Sequence, residues 1–597
     1  MGILQAGYRT YEARRAFAGI ETVGKEPLVP IAHAVLKAQI EITITDGGRF
    51  ENAAAVSEGE EKTIVPVTVE SACRSSSKCA PHPLCDQLCY LAPFGGIKYD
   101  FYVRQLADWA GSAYSHPKVR AVLTYIQKGN IVQDLAQAGV IGAEADVPAK
   151  GGVGQTPYDK CMIRWRVIPP PDGVLAECWR DTTLFECFTG YYLEQNRQLP
   201  KTLCYVSGKE DAECAMHPKG VLRSSFSAKL VSANDESGFT YRGRFRTGRQ
   251  AYILGYTASQ MAHNGLRWAA ANYGFAAGGR TFICWSPEGA PLPTGRVLFN
   301  FSPSVDAYDG YKDDLAQTFR GYRQGLRPDD RVVVAALDAA TTGRLSVTYF
   351  NELKGSDFLE RVEAWYATCC IAVSYGGVQS PPLTNIIHFA FGIARDDKAF
   401  GEHIQRLIGC ISDRRAIPQD IVCALAQRAS FLQTYSDEDR RKLMMAACAV
   451  IRKYRNEKNE NRQNKEEWTV SLDKNQTDRS YLYGRLLAIA EKVERSTYDQ
   501  EEKREPNAVR MLPVFARRPA YAWQIVYEQL TPYFAKLAPG LRAYYKNMIE
   551  EIADMLDAGD PALGKSLKDT YLLGYFHQQA AMSKKKEIND TEELDHE

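Results

Sequence analysis

The hydrophobic periodicity of this chain changes near residue 355, and that change constrains the fold more than any other feature. Before it, short runs alternate apolar and polar residues, the period of a half-buried strand; after it, apolar residues recur at helical spacing almost to the end. Ile40, Ile42 and Ile44 alternate and run into Asp46-Gly47-Gly48, a turn signal, so a hairpin is expected there. Val65, Val67 and Val69 repeat the alternation, and strand-like pieces return at Leu203–Val206, Thr281–Trp285, Val297–Phe301, Val332–Leu337 and Leu345–Phe350. A helix over about Gln250–Asn272 interrupts them. Beyond residue 355, Leu482, Leu486, Ile489 and Val493 form one apolar stripe, and Leu541, Tyr545, Met548, Ile552 and Met555 another.

The expected fold class is therefore α+β: mixed α/β N-terminal and central regions followed by a C-terminal α-helical bundle. Four regions follow: an N-terminal α+β region (1–100), a central α+β region (101–355), a helical region (356–450) and the helical bundle (451–597). A helix is expected over Ile3–Phe17 and an ordered loop in the Cys-, Ser- and Pro-rich segment Ser71–Pro93. Helical patterning dominates from about 100 to 200, for example Val119, Val122, Leu123 and Ile126 after His116-Pro117. Ala145–Tyr158 reads as a loop, and Asn456–Lys474 as a polar break between helices.

Composition narrows the function classes. Lys and Arg total 73 against 72 Asp and Glu. A protein gripping a duplex alone needs more positive charge, because such affinity is largely phosphate neutralisation; local basic tracks backed by partner chains fit better. No apolar run approaches the ~18 residues of a membrane span, and the N-terminus has no secretory apolar core. Fifteen cysteines without a secretory signal point to free thiols in a reducing compartment. The expected location is the cytoplasm.

Motifs with chemical overtones have bland readings beside them. Gly559 to Ser566 matches the spacing of a phosphate-binding loop, but it lies between two amphipathic helices where the chemistry needs a strand before it. Lys150 to Thr156 resembles a deviant version with Gln155 in place of the lysine, and reads as a loop. Cys73, Cys79, Cys85 and Cys89, with His82 among them, lack the paired knuckle spacing of tetrahedral zinc sites and read as free thiols, with zinc the open alternative. No metalloprotease helix, nucleophile elbow or carboxylate pair is evident, so no catalytic residue, cofactor or metal is expected.

Tyr241-Arg242-Gly-Arg244-Phe-Arg246-Thr-Gly-Arg249 is more informative. If extended, its period-two arginines share one strand face and suit a phosphate backbone, with a solvated face as the alternative. Lys98, Tyr99, Tyr102 and Arg104 give a weaker basic–aromatic mixture.

An ordered series of short motifs resembles the large-subunit family of type I-C CRISPR RNA-guided surveillance complexes. The pieces are Leu203-Cys204-Tyr-Val-Ser-Gly208, His217-Pro218-Lys219-Gly220, Leu230-Val231-Ser232-Ala-Asn234, a helix containing Tyr256 to Trp268, and Gly279-Arg280-Thr-Phe-Ile-Cys-Trp285. Ile3-Leu4-Gln5-Ala6, Gly343 to Phe350, Tyr481 to Leu486 and Leu573 to Gln578 extend the likeness to both ends.

The resemblance implies a subunit without catalysis or cofactor, acting in antiviral defence. It would inspect double-stranded target DNA for a protospacer-adjacent motif (PAM), aid strand separation and R-loop stabilisation, and help recruit a helicase–nuclease. Implied partners are target DNA, CRISPR RNA (crRNA), the backbone, crRNA-handle-binding and small subunits, and the helicase–nuclease, with no membrane. Cys73-Arg74-Ser75-Ser76-Ser77-Lys78 to Leu84-Cys85-Asp86-Gln87 resembles an N-terminal family motif, with Gln87 where Asn is expected. Its hydroxyls, cations and amide suit groove contacts; alternatively, Arg74 and Asp86 merely tie down the loop. The nucleic-acid-binding candidates are thus Arg74, Ser75, Ser76, Ser77, Lys78, Gln87, Lys219, Arg242, Arg244, Arg246, Arg249, Arg517, Arg518 and Lys546, with Lys536 and Arg542 beside the last three. The family also makes a small subunit similar to the large one's C-terminal end by internal translation. Met444, Met445 or a non-AUG position nearer Val470 could mark that start.

Overall fold

The computed structural model describes residues 1–74, 79–144, 146–170, 175–214, 216–232, 244–292, 308–341, 343–373, 377–459, 467–499, 502, 504–556 and 561–594. Side chains are described for fewer positions; those of residues 249, 308–310, 340 and 584–594 are outside the account. The chain divides into two units. One holds Met1–Gly274, Trp285–Gly289 and Leu337–Phe350; the other holds Phe275–Cys284, Ala290–Ala336 and Asn351–Glu597. The α+β expectation holds, with strands concentrated before residue 355 and helices after it.

In the first unit the expected hairpin forms from Ile40–Thr45 and Phe50–Ala55, and Ile40, Ile42 and Ile44 are fully buried on one face. Each such side chain contributes about 1.5–3 kcal/mol relative to exposure. A third strand, Ile163–Ile168, pairs in parallel with Ile40–Thr45. Sequence patterning had placed it in helical territory. Its Ile163, Trp165 and Val167 are buried, whereas Arg164 and Arg166 alternate with them and reach Glu41, at 2.7 and 3.1 Å. A parallel strand finds its partner far along the chain, so local pattern carried no sign of it.

A two-stranded pair, His33–Lys37 with Lys62–Pro66, lies in the same unit. The Val65–Val69 alternation does not continue as a strand. Thr68 accepts the Ser71 amide at 3.1 Å and Ser71 Oγ accepts the Thr68 amide at 2.9 Å, a capping box that starts the one-turn helix Val69–Ala72. Leu203–Val206 likewise becomes strand only at Lys201–Leu203 before turning.

The N-terminal helix, Ile3–Arg14, packs against Tyr256–Tyr273. Gly7 and Gly265 face each other where the two helices cross; a Cβ on Gly7 would strike the Ala262 carbonyl, and one on Gly265 the Gly7 carbonyl. Glycine is required there for backbone approach, and the crossing fixes the face Tyr256–Tyr273 turns away from its neighbour.

In the second unit the expected helices form at Gly355–Thr368, Asp437–Asn459, Arg479–Arg495, Pro539–Asp554 and Thr570–Leu594, among others. Strands cover Thr281–Cys284 and Val332–Ala336 as expected, and Leu345–Phe350, in the first unit, is likewise a strand. Val297–Phe301 lies outside the described residues. Arg479–Arg495 and Thr570–Leu594 cross at Gly484 and Gly574, whose added Cβ atoms would strike the Tyr571 and Tyr481 carbonyls.

Candidate nucleic-acid interface

Within the first unit, the loop expected at Ser71–Pro93 is built around one buried carboxylate. Asp86, with a side chain 0% exposed, accepts two bonds from Arg74, at 2.7 and 2.6 Å, and the backbone amides of His82 and Gln87, at 2.6 and 2.7 Å. Arg74 also donates to the Ala80 carbonyl at 3.2 Å and stacks 4.6 Å over Tyr90. Burial alone would lower the Arg74 guanidinium, but the Asp86 carboxylate more than offsets this and its pKa ends raised. The bidentate fork therefore fixes both flanks of residues 75–78. Leu84, held at φ 69°, offers its carbonyl to Tyr102 Oη at 2.6 Å and Trp165 Nε1 at 2.7 Å.

A pocket of about 240 Å³ opens beside this loop. Its walls come from His33, Ala34 and Leu36, from Val67 to Arg74 with His82, from Met216 to Lys219 with Phe226, and from one face of Tyr256–Tyr273. That face presents Gln260, Asn264 and Arg267 at i, i+4 and i+7, opposite the Ala262–Gly265–Leu266 face packed on the N-terminal helix. Asn264 Nδ2 donates to the Val29 and Pro30 carbonyls at 3.1 and 3.3 Å. Arg267 donates to the Gly220 and Lys219 carbonyls at 2.9 and 2.7 Å and so holds the Met216–Gly220 loop in place. Burial lowers its pKa to about 10.

Three histidines line the pocket, and burial pushes each to about 4, so all are neutral near pH 7. For His82, Asp86 opposes burial while Arg74 and Lys219 reinforce it; for His217, Lys229 reinforces it; for His33 the Ile31 carbonyl opposes it. Each ring is oriented through Nδ1: His33 to the Ile31 carbonyl at 2.8 Å, His82 to Ser71 Oγ at 2.9 Å, His217 to Ser259 Oγ at 2.9 Å.

The remaining sequence candidates are dispersed. Ser75, Ser76, Ser77, Lys78 and Arg242 lie outside the described residues, as does the Arg249 side chain. Gln87 is half-buried and occupies the N-cap position of the short helix Leu88–Leu91 without a capping side-chain hydrogen bond. Arg244 and Arg246 are exposed, but their segment is not an extended strand. Thr247 caps the one-turn helix Gly248–Ala251, so the period-two register fails from residue 247 onward. Tyr102 is buried, and Lys98 sits 5.4 Å over Tyr90. In the second unit Arg517, Arg518, Lys536 and Lys546 are exposed, the last 5.6 Å over Phe534, whereas Arg542 is spent on the Ala535 and Leu537 carbonyls.

The lookalike motifs resolve structurally. Lys150 to Thr156 includes the strands of a small hairpin, Gly152–Val153 with Thr156–Pro157. Pro561 to Lys565 is a turn between Pro539–Asp554 and Thr570–Leu594. Among the described residues no three His, Cys, Asp or Glu side chains gather as a metal site. Cys85 is fully buried and Cys89 lies 3.8 Å from Lys98 Nζ.

Sequence reasoning missed His33, His217, Gln260 and Arg267 as pocket residues. The polar stripe at 260, 264 and 267 in an Ala-rich helix was the available signal.

The clamped Arg74–Asp86 loop and the pocket bearing Lys219 and Arg267 are the features of the first unit that bear on function. The sequence matches the model of the CRISPR-associated protein family Cas_Csd1 over residues 8–583, and the chain belongs to that family. No curated protein matches it. Among the described residues, no helix is long and apolar enough to cross a membrane.

Proposed function

We propose that this chain is the non-catalytic, cytoplasmic large subunit of a type I-C CRISPR surveillance complex. In this reading it meets the PAM duplex with the 74–87 loop, opens the first base pairs, supports the displaced strand and helps recruit a helicase–nuclease. The carrying observation is the Arg74–Asp86 clamp beside a pocket that bears Lys219 and Arg267. The clamp holds the flanks of a Ser- and Lys-containing segment in fixed register, which is what groove contacts require. A guide RNA on neighbouring subunits would read the long sequence, so a net charge of +1 is enough for this chain.

In the same reading, a separate small subunit would be made from the C-terminal helices by an internal start. Met444 and Met445 are buried inside Asp437–Asn459, so a start there would split a helix. A start nearer Val470 leaves Arg479–Arg495 and every later helix whole.

Co-purification with guide RNA and partner subunits tests the assembly; a chain that never enters a ribonucleoprotein sinks the proposal. Arg74→Ala is a poor probe of DNA contact, because it strands the Asp86 charge at a cost of about 3–5 kcal/mol. Lys78→Ala is cleaner. It should weaken target DNA binding by the assembled complex by about 1 kcal/mol or more, with assembly intact. Unchanged DNA binding removes the loop from the interface.

A further inference from the structure

We propose that the pocket between the 74–87 loop and the Met216–Gly220 loop holds one unpaired nucleotide of an opened DNA strand, base inward and phosphate against Lys219 and Arg267. The inference rests on the proposed DNA-opening role and specifies what that role does with a freed base.

Three features select this ligand. First, the charge is one-sided. No Asp or Glu is among the lining residues, and neither Lys219 nor Arg267 has a carboxylate partner among the described residues. Arg74 is committed to Asp86; Lys219 can meet a phosphate directly, and Arg267, whose Nε and Nη2 serve the Gly220 and Lys219 carbonyls, adds its charge beside it.

Second, polar groups inside the pocket lack partners. Gln260 is 9% exposed as a whole; its amide makes no hydrogen bond among the described residues and keeps solvent contact at the pocket wall. His33 is 3% exposed and its Nε2 is unpartnered. With Nδ1–H donating to the Ile31 carbonyl, that Nε2 is an acceptor. Buried polar groups are rarely left unsatisfied without a reason. The Gln260 amide, donor and acceptor together at the pocket wall, matches the hydrogen-bonding edge of a base.

Third, the walls and size suit a flat ring. Val67, Val69, Met216, Pro218 and Phe226 supply apolar surface, and Lys219 Nζ lies 5.8 Å over the Phe226 ring. A volume of about 240 Å³ falls below the ~300 Å³ where pockets for drug-sized ligands begin. One base fits and a base pair does not. Inorganic phosphate would leave Gln260 and His33 unmatched. Extruding a base costs a few kcal/mol, least where pairing is already broken, which places the pocket's use after strand opening.

Cys73 lines the pocket and reports its occupancy. The full-length protein is alkylated with iodoacetamide, and the Cys73 peptide is followed by mass spectrometry with no ligand, with inorganic phosphate, with deoxyadenosine monophosphate, or with a DNA duplex carrying a short unpaired bubble. The bubble DNA and the mononucleotide should each slow Cys73 alkylation about tenfold, and phosphate should not. Gln260→Leu and Lys219→Gln should abolish the protection; if Gln260→Leu alters melting, Lys219→Gln carries the test. Protection by the mononucleotide but not by bubble DNA overturns the strand as ligand, as does protection by neither. Equal protection by phosphate overturns the base. Failure of the surveillance-complex reading shows separately, as absence of guide RNA from the purified particle.

Discussion

The two units each contain a pair of helices that cross through facing glycines, and they use the resulting seam in opposite ways. Arg479–Arg495 and Thr570–Leu594 turn their polar residues into the seam and pair most of them with one another, although His577 Nε2 stays buried without a partner among the described residues. Tyr481 Oη meets His577 Nδ1 at 3.0 Å, Arg485 donates to Gln578 at 3.0 Å, and Glu491 accepts from Tyr575, Gln579 and Arg495. Ile3–Arg14 and Tyr256–Tyr273 keep the seam small and apolar. Their polar stripe, Gln260, Asn264 and Arg267, faces the pocket, where part of it stays unpaired. A largely paired polar network specifies packing, whereas a stripe facing a pocket is material for binding.

The comparison is broken most forcefully at the glycines. Gly574→Ala drives a methyl into the Tyr481 carbonyl, and Gly265→Ala drives one into the Gly7 carbonyl. Backbone cannot swing aside as a side chain does, so each should cost about 3 kcal/mol, the upper end of overpacking. Denaturant unfolding should show a similar loss for both. A tolerated Gly574→Ala would mean the C-terminal helices do not meet as described.

Tyr575→Phe should come next. It removes one donor from the buried Glu491 and should cost about 1–3 kcal/mol, read as a lower melting temperature. Loss of less than about 0.5 kcal/mol would mean that water, and not the tyrosine, serves the carboxylate.

Acidification separates the units by their histidines. His33, His82 and His217 are lowered by burial to about 4, and His263 to about 3, in the first unit; His577 is lowered to about 3 in the second. Below 6.5 the unfolded chain takes up protons that the folded chain refuses. The stability these groups provide is therefore complete above about pH 6.5 and falls as pH drops toward 4, by about 1.4 kcal/mol per unit for each fully titrating group. With four such groups against His577 and the less buried His403, amide-exchange protection should fall more in first-unit peptides between pH 7.5 and 5.5. Equal losses would mean that water reaches the pocket histidines and lifts their pKa values.

How much of this was legible in sequence divides along the same line. The C-terminal helices announced themselves, because Leu482, Leu486, Ile489 and Val493 repeat at one spacing within one element. The hairpin after Ile40 was equally local. The strand Ile163–Ile168 was not, since its Arg164 is buried only through Glu41, far away in sequence, and through Trp179, 3.9 Å beneath its guanidinium. The loop at Arg74 was read with both of its possible meanings, and the Asp86 clamp is now one fact on which either must build. The pocket was illegible for a plainer reason: it joins residues near 33, 67, 217 and 260, and no spacing rule links four distant segments.

The smallest expected effect discriminates best between a polar group kept for packing and one kept for a ligand. Gln260 has no hydrogen-bond partner among the described residues, so Gln260→Leu removes no protein hydrogen bond and keeps the approximate volume. Stability should stay within about 0.5 kcal/mol of the wild type or rise slightly, since replacing an unsatisfied polar group by an apolar one of similar shape is near neutral. Calorimetric melting of the full chain at pH 7.5 measures this directly. A loss as large as that of Tyr575→Phe would show that Gln260 is already satisfied, by ordered water bridging to the pocket wall, and the contrast between a largely paired seam and an open stripe would fail at its central residue.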